Sequence, residues 1–322
     1  MPERLMAAIQ VHQYGGPEQL RLEQVARPEP QVGEVLIRVH AAGVLPAEWK
    51  VRQGFFRAFR PSTFPYIPGS AVAGVVEALG PGVTTFQVGQ RVLGRSVNGV
   101  YAEYTTTAVA PPALGANTFS LLAEIPEGLS FEEAATVSGG ATTAWAALFH
   151  DAALQASQRV LIHGGAGGVG SYAVQFARWK GARVIATASA ANLDFVRSLG
   201  AETVIDYATT AFEQVARDMD VVLDTIGGET LRRSPQTLKR GGVLVSLLEN
   251  SPDELAAQYG VRAMKNTVAP TNDDLRAIGR LLASGHIKAT IGQVFPLREA
   301  ARAQELSQGG HGRGRIVLRI PE

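Results

Sequence analysis

A glycine-rich turn constrains this chain more than any other feature of its sequence. Gly165, Gly167 and Gly170 satisfy the pattern G-x-G-x-x-G, directly after the apolar run 160–163 and at the start of an amphipathic stretch, 169–180. In such a turn one glycine allows the tight bend, one lets the backbone approach a pyrophosphate, and one lets the helix pack on the strand. Because strand, turn, helix and a second strand follow one another within about 30 residues, this segment predicts a dinucleotide-binding unit.

The pattern around that turn predicts an α/β fold. From about residue 130, apolar strands alternate with amphipathic helices, which is typical of a doubly wound (Rossmann) parallel sheet. Residues 5–110 instead contain short runs rich in β-forming residues, separated by turn signals. The strands predicted for the second half are 160–163, 184–187, 204–206, 221–224, 243–247 and 315–320. The helices predicted there are 169–180, 192–199, 229–238, 273–284 and 297–307.

Composition excludes several classes of function. The chain has 322 residues, enough for two domains of about 150 residues each. It contains no cysteine, which excludes disulfides, thiolate nucleophiles and zinc sites with sulfur ligands. Its 30 basic and 29 acidic residues leave a net charge of +1, so the overall charge favours neither nucleic acid nor a membrane as a partner. No metal site is predicted, because the histidines show no short ligand spacing. They are His12, His40, His150, His163, His286 and His311.

No targeting or membrane segment is predicted. Residues 1–4 lack the apolar core of a signal peptide. The uncharged stretch 160–177 is long enough to resemble a membrane helix, but its glycines and its histidine fit a buried strand, a loop and a helix better. We therefore expect a soluble, cytoplasmic protein.

The end of the second strand of the dinucleotide unit favours NADP over NAD. An acidic residue at this place would bind the ribose 2′-hydroxyl of NAD. Here the sequence runs from Ile185 to Asn192 without an acidic residue, and the first carboxylate is that of Asp194. Ser189 and Asn192 offer hydrogen-bond donors to a 2′-phosphate instead. Both residue types also favour the position before a helix, so capping is a second interpretation that is compatible with the first.

Several motifs, in order along nearly the whole chain, carry a resemblance to a known family. They are Tyr14-Gly-Gly-Pro17, Tyr66-Ile-Pro-Gly69, Tyr101-Ala-Glu-Tyr104, Ala166-Gly-Gly-Val-Gly170, Val204-Ile-Asp-Tyr207, Asp224-Thr-Ile-Gly-Gly228 and Gly314-Arg-Ile-Val-Leu318. With these motifs the chain resembles the zinc-free quinone oxidoreductase branch of the medium-chain dehydrogenase/reductases.

The resemblance implies a fold, a domain division and an activity. It implies a GroES-like β-barrel catalytic domain at residues 1–127 and 268–322, and a Rossmann NADP-binding domain at 128–267. Members of this branch bind NADPH, reduce quinones or the activated C=C bond of enals, enones and enoyl compounds without a metal, and are often homodimers. A small apolar or conjugated carbonyl substrate is therefore expected. The strand candidate 261–269 would pair across a twofold axis in such a dimer, which sedimentation would test.

The resemblance also implies cofactor contacts, residue by residue. It places Thr143 near the nicotinamide ribose and the backbone around Ile226 and Leu247 along the cofactor. Arg315, where the family usually has lysine, is expected to contact the cofactor from the catalytic domain. Alternative interpretations are a helix-surface hydroxyl for Thr143 and a strand-end core residue for Tyr207. The expected set is Thr143; Gly165, Gly167, Gly168 and Val169 at the pyrophosphate; Ser189, Asn192 and Tyr207 at the adenosine end; and Ile226, Leu247 and Arg315.

The sequence departs from the family pattern at two places. Leu45 stands where the family usually carries an asparagine near the nicotinamide, and Ala71 stands where an acidic residue is common after Pro-Gly. These losses motivate an alternative function. The protein would then bind NADPH with little catalysis and act as a redox sensor or a structural partner.

Lys50, Tyr66 and Thr143 are the remaining catalytic candidates. Lys50 aligns with a lysine of alkenal- and enoyl-reductase-like relatives, and a cation there would stabilise the enolate that hydride transfer forms. A solvated lysine on a helical turn is the alternative. Glu48 could orient Lys50, although residues i and i+2 of a helix do not face each other. The aromatic residues of this segment indicate either an apolar substrate pocket or core packing, and they are Trp49, Phe55, Phe56, Phe59 and Phe64.

Overall fold

The computed structural model describes residues 4–109, 120–250, 253–266, 268–310 and 312–321. His311, one of the histidines considered above, lies outside these ranges, as does Thr267 within the strand candidate 261–269.

Contacts divide the chain into two units. The first comprises Met1–Gly139, Thr271–Ala283 and Ala289–Glu322, and the second comprises Gly140–Pro270 and Ser284–Lys288. The functional division at residues 127 and 267 stays a prediction.

The described residues form fifteen strands and ten α-helices. The strands are β1 (Leu5–Gln10), β2 (Arg21–Ala26), β3 (Glu34–Val44), β4 (Ala71–Leu79), β5 (Arg91–Arg95), β6 (Tyr104–Ala108), β7 (Leu121–Glu124), β8 (Arg159–Ile162), β9 (Arg183–Ala188), β10 (Thr203–Asp206), β11 (Met219–Asp224), β12 (Leu238–Ser246), β13 (Arg262–Lys265), β14 (Ile291–Pro296) and β15 (Arg315–Arg319). The helices are α1 (Pro46–Arg52), α2 (Phe131–Ala135), α3 (Thr142–Trp145), α4 (Gly170–Trp179), α5 (Leu193–Ser198), α6 (Phe212–Val215), α7 (Gly228–Arg233), α8 (Asp253–Tyr259), α9 (Asn272–Ala283) and α10 (Ala300–Gly309).

β3 is the central strand of the first unit. It pairs with β4 along most of its length, with β6 at residues 34–38 and with β15 at residues 41–44, always antiparallel. The sheet runs in the order β14-β15-β3-β4-β5-β7, with β6 on β3, while β1 and β2 form a separate pair. No ladder among the described strands joins β7 to β14, so the hydrogen bonding leaves the sheet open where a closed β-barrel was expected.

Two glycines allow close packing around β3. A Cβ on Gly43 would lie 2.5 Å from the carbonyl oxygen of Ala135, and one on Gly74 would lie 2.1 Å from that of Arg38. Gly43 therefore lets α2 approach β3, and Gly74 lets β4 approach it. The apolar core around these strands includes Ile37, Val72, Leu122, Phe295 and Leu318.

The second unit contains a six-stranded parallel sheet in the order β10-β9-β8-β11-β12-β13. Val160, Leu161 and Ile162 of β8 are fully buried, as expected for a parallel strand covered on both faces. The strand order reverses between β8 and β11, and ligands bind beyond the carboxyl ends of strands at such a switch point. The doubly wound fold is confirmed, and β8 leads directly into the glycine turn.

Two observations bear on partners. β13 forms one edge of the parallel sheet, within the strand candidate 261–269, and dimerisation there stays a prediction. Within the described ranges, no helix has both the length and the apolar character needed to cross a membrane.

Candidate functional site

The glycine turn lies between the end of β8 and the start of α4. Gly164 adopts a φ of 73°, a left-handed conformation that glycine tolerates. Gly165 donates its backbone N–H to the carbonyl of Thr187 at 2.9 Å, which ties the turn to β9. A Cβ on Gly170 would lie 2.0 Å from the carbonyl oxygen of Gly164. Glycine at 170 therefore lets α4 begin this close to the turn.

Gly167 has a different role in the turn. A Cβ there would meet the carbonyl oxygen of Gly164 at an ordinary 3.4 Å, so packing does not require glycine at this position. The missing side chain instead leaves open backbone where Gly167, Gly168 and Val169 are partly exposed. α4 starts beside this backbone, and the N–H groups at a helix start attract phosphate. The turn therefore fits the pyrophosphate of a dinucleotide.

His163 is buried between the end of β8 and the turn. Its Nδ1 lies 3.3 Å from Oγ1 of Thr187 on β9, and its Nε2 lies 3.1 Å from Oγ of Ser234 after α7. Burial lowers the pKa of His163 to about 3, so the imidazole is neutral at physiological pH. Thr225, after β11, donates its hydroxyl to the carbonyl oxygen of His163 at 2.7 Å. The sequence assigns no role to His163, but its contacts link the ends of β8, β9 and β11 around the turn.

The ends of β9 and β10 bring three predicted cofactor-binding residues to one edge of the sheet. Asn192, which is buried, donates its Nδ2–H to the hydroxyl oxygen of Ser189 at 3.0 Å. Tyr207 follows β10, is 54% exposed, and donates its backbone N–H to the carbonyl of Ala188 at 3.3 Å. That exposure rules out a core role for Tyr207. Ser189 precedes the helical turn at 190–192 without a side-chain capping bond, so capping does not account for it.

A buried aspartate fixes the neighbouring turn. The carboxylate of Asp224, at the end of β11, accepts hydrogen bonds from the backbone N–H groups of Ile226 and Gly227, both at 3.0 Å. The hydroxyl of Ser246 on β12 donates to the same carboxylate at 3.0 Å. Leu247 donates its backbone N–H to the carbonyl of Asp224 at 3.0 Å. One residue therefore holds the ends of β11 and β12 beside the switch point.

The three catalytic candidates are divided between the units. Thr143 lies on α3 of the second unit and is half-buried. Lys50 lies on α1 of the first unit, also half-buried, with Nζ 5.4 Å from the ring centre of Trp49. Tyr66 lies before β4, where its backbone pairs with Val11. Its hydroxyl is buried without a hydrogen-bond partner among the described residues, and burial raises its pKa to about 12.

Glu48 does not orient Lys50, because its carboxylate is engaged inside the first unit. Its Oε2 accepts hydrogen bonds from the backbone N–H of Leu45, at 2.9 Å, and from the hydroxyl of Tyr101. Its Oε1 accepts one from the backbone N–H of Ser70 at 3.1 Å. Burial is the main cause that raises the pKa of Glu48 to about 7, against the effect of these hydrogen bonds and of a nearby positive charge.

Arg315 is the first residue of β15, and its side chain is buried in the first unit. The guanidinium donates to the carbonyl oxygens of Gly139, at 2.9 Å, and of Val44, at 3.4 Å. A Cβ on Gly139 would lie 2.6 Å from Leu45, which is itself buried. Arg315 therefore fixes the end of β3 next to Leu45, and its contact with the cofactor stays a prediction.

The aromatic segment after α1 is only partly core. Phe55 and Phe59 are 62% and 77% exposed. Phe55 lies edge-on to Trp49, with 5.8 Å between ring centres, and Phe64 lies 5.7 Å from Tyr66. Core packing does not explain the two exposed rings, so an apolar substrate surface stays the interpretation for them.

The residues that the structure describes do not fit a zinc ion. Nowhere in the described ranges do three or more histidine, aspartate or glutamate side chains group so that they could hold a metal. The chain also has no cysteine. The described residues therefore lack the donor set of a zinc site.

Comparisons with known proteins agree with this arrangement. Residues 31–116 match the family model of the alcohol dehydrogenase GroES-like domain, and residues 199–318 match that of the zinc-binding dehydrogenases, although the zinc donors are missing here. Over 337 residues the chain is 34% identical to the quinone oxidoreductase of Mus musculus, an alignment that covers 98% of each protein. The chain belongs to the quinone oxidoreductase-like branch of the medium-chain dehydrogenase/reductase superfamily.

Solved structures place it in the same branch. The quinone oxidoreductase from Coxiella burnetii is 33% identical with a TM-score of 0.89, and the match covers 99% of this chain and 100% of that chain. A mycobacterial protein complexed with NADPH is 30% identical with a TM-score of 0.86, covering 98% of this chain and 99% of that chain. As a member of this branch, the protein is an oxidoreductase with a Rossmann domain that binds NAD(P).

Gly167 and Gly170 should respond differently to alanine. Gly167→Ala should change the free energy of unfolding by less than about 1 kcal/mol, but weaken NADPH binding about tenfold or more because the methyl group would enter the predicted pyrophosphate site. Gly170→Ala should destabilise the protein by about 2 kcal/mol or more, because its Cβ overlaps the Gly164 carbonyl. Thermal unfolding and fluorescence titration with NADPH measure the two effects. Unchanged NADPH binding by Gly167→Ala would contradict this placement of the pyrophosphate.

Removing the Tyr66 hydroxyl should have different effects on catalysis and on stability. Because this oxygen is buried without a partner, Tyr66→Phe should leave the free energy of unfolding unchanged or raise it by up to about 1 kcal/mol. If Tyr66 contacts the substrate, kcat should fall about tenfold or more. Tyr101→Phe is the matched control for stability, since its hydroxyl donates to Glu48 and its loss should cost roughly 1.5–3 kcal/mol. Urea unfolding and NADPH oxidation rates measure both, and an unchanged kcat removes Tyr66 from the catalytic candidates.

Proposed function

We propose that this protein is an NADPH-dependent reductase of quinones or of activated C=C bonds in enals, enones and enoyl compounds. The observation that carries the proposal is the open glycine turn at the switch point, beside an uncharged strand end where buried Asn192 is hydrogen-bonded to half-buried Ser189. Relatives named quinone oxidoreductase and the neighbour complexed with NADPH support the same assignment.

The second unit would bind the cofactor. When bound, NADPH supplies a hydride from its nicotinamide ring, and most of the protein's contribution is to hold and orient it. Gly165 fixes the glycine turn through its hydrogen bond to the carbonyl of Thr187, and Asp224 fixes the adjacent turn after β11. The residues proposed to contact the cofactor are Gly167, Gly168 and Val169 at the pyrophosphate, Ser189, Asn192 and Tyr207 at the 2′-phosphate, Thr143 at the nicotinamide ribose, and Ile226, Leu247 and Arg315 elsewhere along it.

The first unit favours an apolar, conjugated acceptor. Leu45, where the resemblance implies an amide, is apolar and buried, and Phe55 and Phe59 expose apolar rings nearby in the sequence. Lys50 would stabilise the oxyanion that develops on the acceptor. Burial raises the pKa of Tyr66 to about 12, so Tyr66 keeps its proton at neutral pH and would donate a hydrogen bond to that oxygen, and water would supply the proton that completes the reduction.

Oxidation of NADPH with p-benzoquinone, acrolein and crotonyl-CoA tests the activity. We expect turnover with at least one acceptor, and Lys50→Met should lower its kcat about a hundredfold because a charge that stabilises the oxyanion is lost. Lys180→Met is the control, since Lys180 also lies half-buried with Nζ 5.9 Å from an aromatic ring centre, that of Phe149. Tight NADPH binding without transfer to any acceptor would instead support the alternative of a sensor or structural partner.

The cofactor preference can be tested without the substrate. NADPH should bind at least about tenfold more tightly than NADH, because each lost hydrogen bond to a charged phosphate costs roughly 1.5–3 kcal/mol. Ser189→Asp should reverse the preference, since its carboxylate repels the 2′-phosphate and can accept from a ribose hydroxyl.

Ser198→Asp is the control for that exchange, because it adds the same charge on the exposed side of α5. Calorimetric titration with both cofactors measures the affinities. Equal affinities in the unmodified protein, or a Ser189→Asp variant that still prefers NADPH, would show that the adenosine end lies elsewhere.

A further inference from the structure

The hydrogen bond between His163 and Ser234 has a direction that their other contacts determine. The hydroxyl of Ser234 donates to the backbone carbonyl of Thr230, on α7, at 2.6 Å. Because a hydroxyl has one proton to donate, the oxygen of Ser234 can only accept from His163. Nε2 of His163, which lies 3.1 Å from that oxygen, therefore carries a proton.

The other ring nitrogen of His163 is then an acceptor. Because the buried imidazole is neutral, with a pKa lowered to about 3, it holds a single proton, the one at Nε2. Its Nδ1 accepts from the hydroxyl of Thr187 at 3.3 Å, and the oxygen of that hydroxyl accepts the backbone N–H of Gly164 at 3.1 Å. These bonds run in one direction from Gly164 through Thr187, His163 and Ser234 to Thr230, and we call them the His163 network.

The network begins at the residue that holds the open part of the glycine turn. The carbonyl oxygen of Gly164 accepts the backbone N–H of Gly167 at 3.0 Å. The start of α4 packs against the same oxygen, which a Cβ on Gly170 would meet at 2.0 Å. The network engages the N–H of Gly164 from the opposite side. Both peptide groups of Gly164 are therefore fixed, one to β9 and the other to the turn.

Stability alone does not require an imidazole at this place. His163 is fully buried and lies edge-on to the ring of Phe212, with 4.5 Å between ring centres. Replacing buried hydrogen-bonded groups by apolar groups of the same shape can be nearly neutral for stability. An apolar side chain would not, however, supply the acceptor that takes the proton of the Thr187 hydroxyl. That acceptor decides which side of the hydroxyl oxygen faces Gly164.

We propose that His163 is a positioning residue for the dinucleotide, acting through Thr187 and Gly164. By accepting the proton of the Thr187 hydroxyl, it turns the lone pairs of that oxygen towards the N–H of Gly164 and holds the turn with its backbone open at Gly167. The pyrophosphate that this backbone fits is common to NADPH and NADH. The role of His163 therefore depends neither on the proposed preference for NADPH nor on the proposed acceptor.

The first test removes the two hydroxyls of the network. Thr187→Val and Ser234→Ala should each weaken the binding of NADPH and of NADH about tenfold, by the same factor for both cofactors, because the turn changes and the adenosine end does not. Thr237→Val is the matched control. The hydroxyl of Thr237 is also buried but donates to the backbone carbonyl of Ser234 at 2.8 Å, outside the network. This variant should lower the midpoint of thermal unfolding while both affinities stay within about twofold of wild type.

The second test is rescue at His163 itself. A glutamine amide offers an acceptor and a donor, so His163→Gln can accept from Thr187 and donate to Ser234, whereas His163→Leu can do neither. Fluorescence titration should show binding of both cofactors weakened about tenfold or more in His163→Leu and largely restored in His163→Gln. Thermal unfolding without cofactor identifies a leucine variant that does not fold, in which case Thr187→Val and its control decide.

Nitrogen NMR on protein labelled at its histidines tests the direction of the network. At neutral pH the His163 signals, assigned by their loss in His163→Gln, should be those of a neutral ring protonated at Nε2. A proton at Nδ1 or a charged ring would overturn the proposal. So would unchanged affinities in folded Thr187→Val and Ser234→Ala, equal losses in Thr237→Val, or a loss for NADPH alone, which would place the effect at the 2′-phosphate. The expected affinities without turnover of any acceptor would contradict the proposed function alone.

Discussion

The close approach of α4 to the Gly164 carbonyl is the constraint on which the nucleotide-binding unit depends. Because no side chain stands at Gly170, the helix begins at the turn itself, next to the open backbone at Gly167. Thr187 holds the same turn from β9, through its carbonyl to Gly165 and through its hydroxyl to the N–H of Gly164 at 3.1 Å. The site is therefore a product of backbone packing, and its side chains contribute specificity at the strand ends.

Features with a local signal could be predicted from the sequence. The predicted helices 169–180 and 273–284 correspond to Gly170–Trp179 and Asn272–Ala283, because an amphipathic repeat is visible within the segment itself. The doubly wound sheet followed from the alternation of strands and helices. The helix predicted at 229–238 ends at Arg233 instead, since a proline at 235 interrupts the α-helical pattern and β12 begins at residue 238.

Features that depend on distant partners could not be predicted. Glu48 seemed to be a neighbour of Lys50, but its partner Tyr101 is more than 50 residues away along the chain. His163 likewise forms a hydrogen bond with Ser234, and no local sequence pattern predicts such a contact. The same holds for the sheet of the first unit, because the pairing of its outer strands depends on registers that form across the whole chain.

The pairing of β3 has a consequence for how the chain is made. Residue 44 pairs with residue 316, whereas the parallel sheet of the second unit is built from strands that follow one another between residues 159 and 265. At about 5–20 residues per second, ribosomal synthesis leaves that edge of β3 without β15 for tens of seconds. An exposed strand edge can pair with other chains. The sheet of the first unit thus stays incomplete until β15 has been made, while the second unit can complete its sheet earlier.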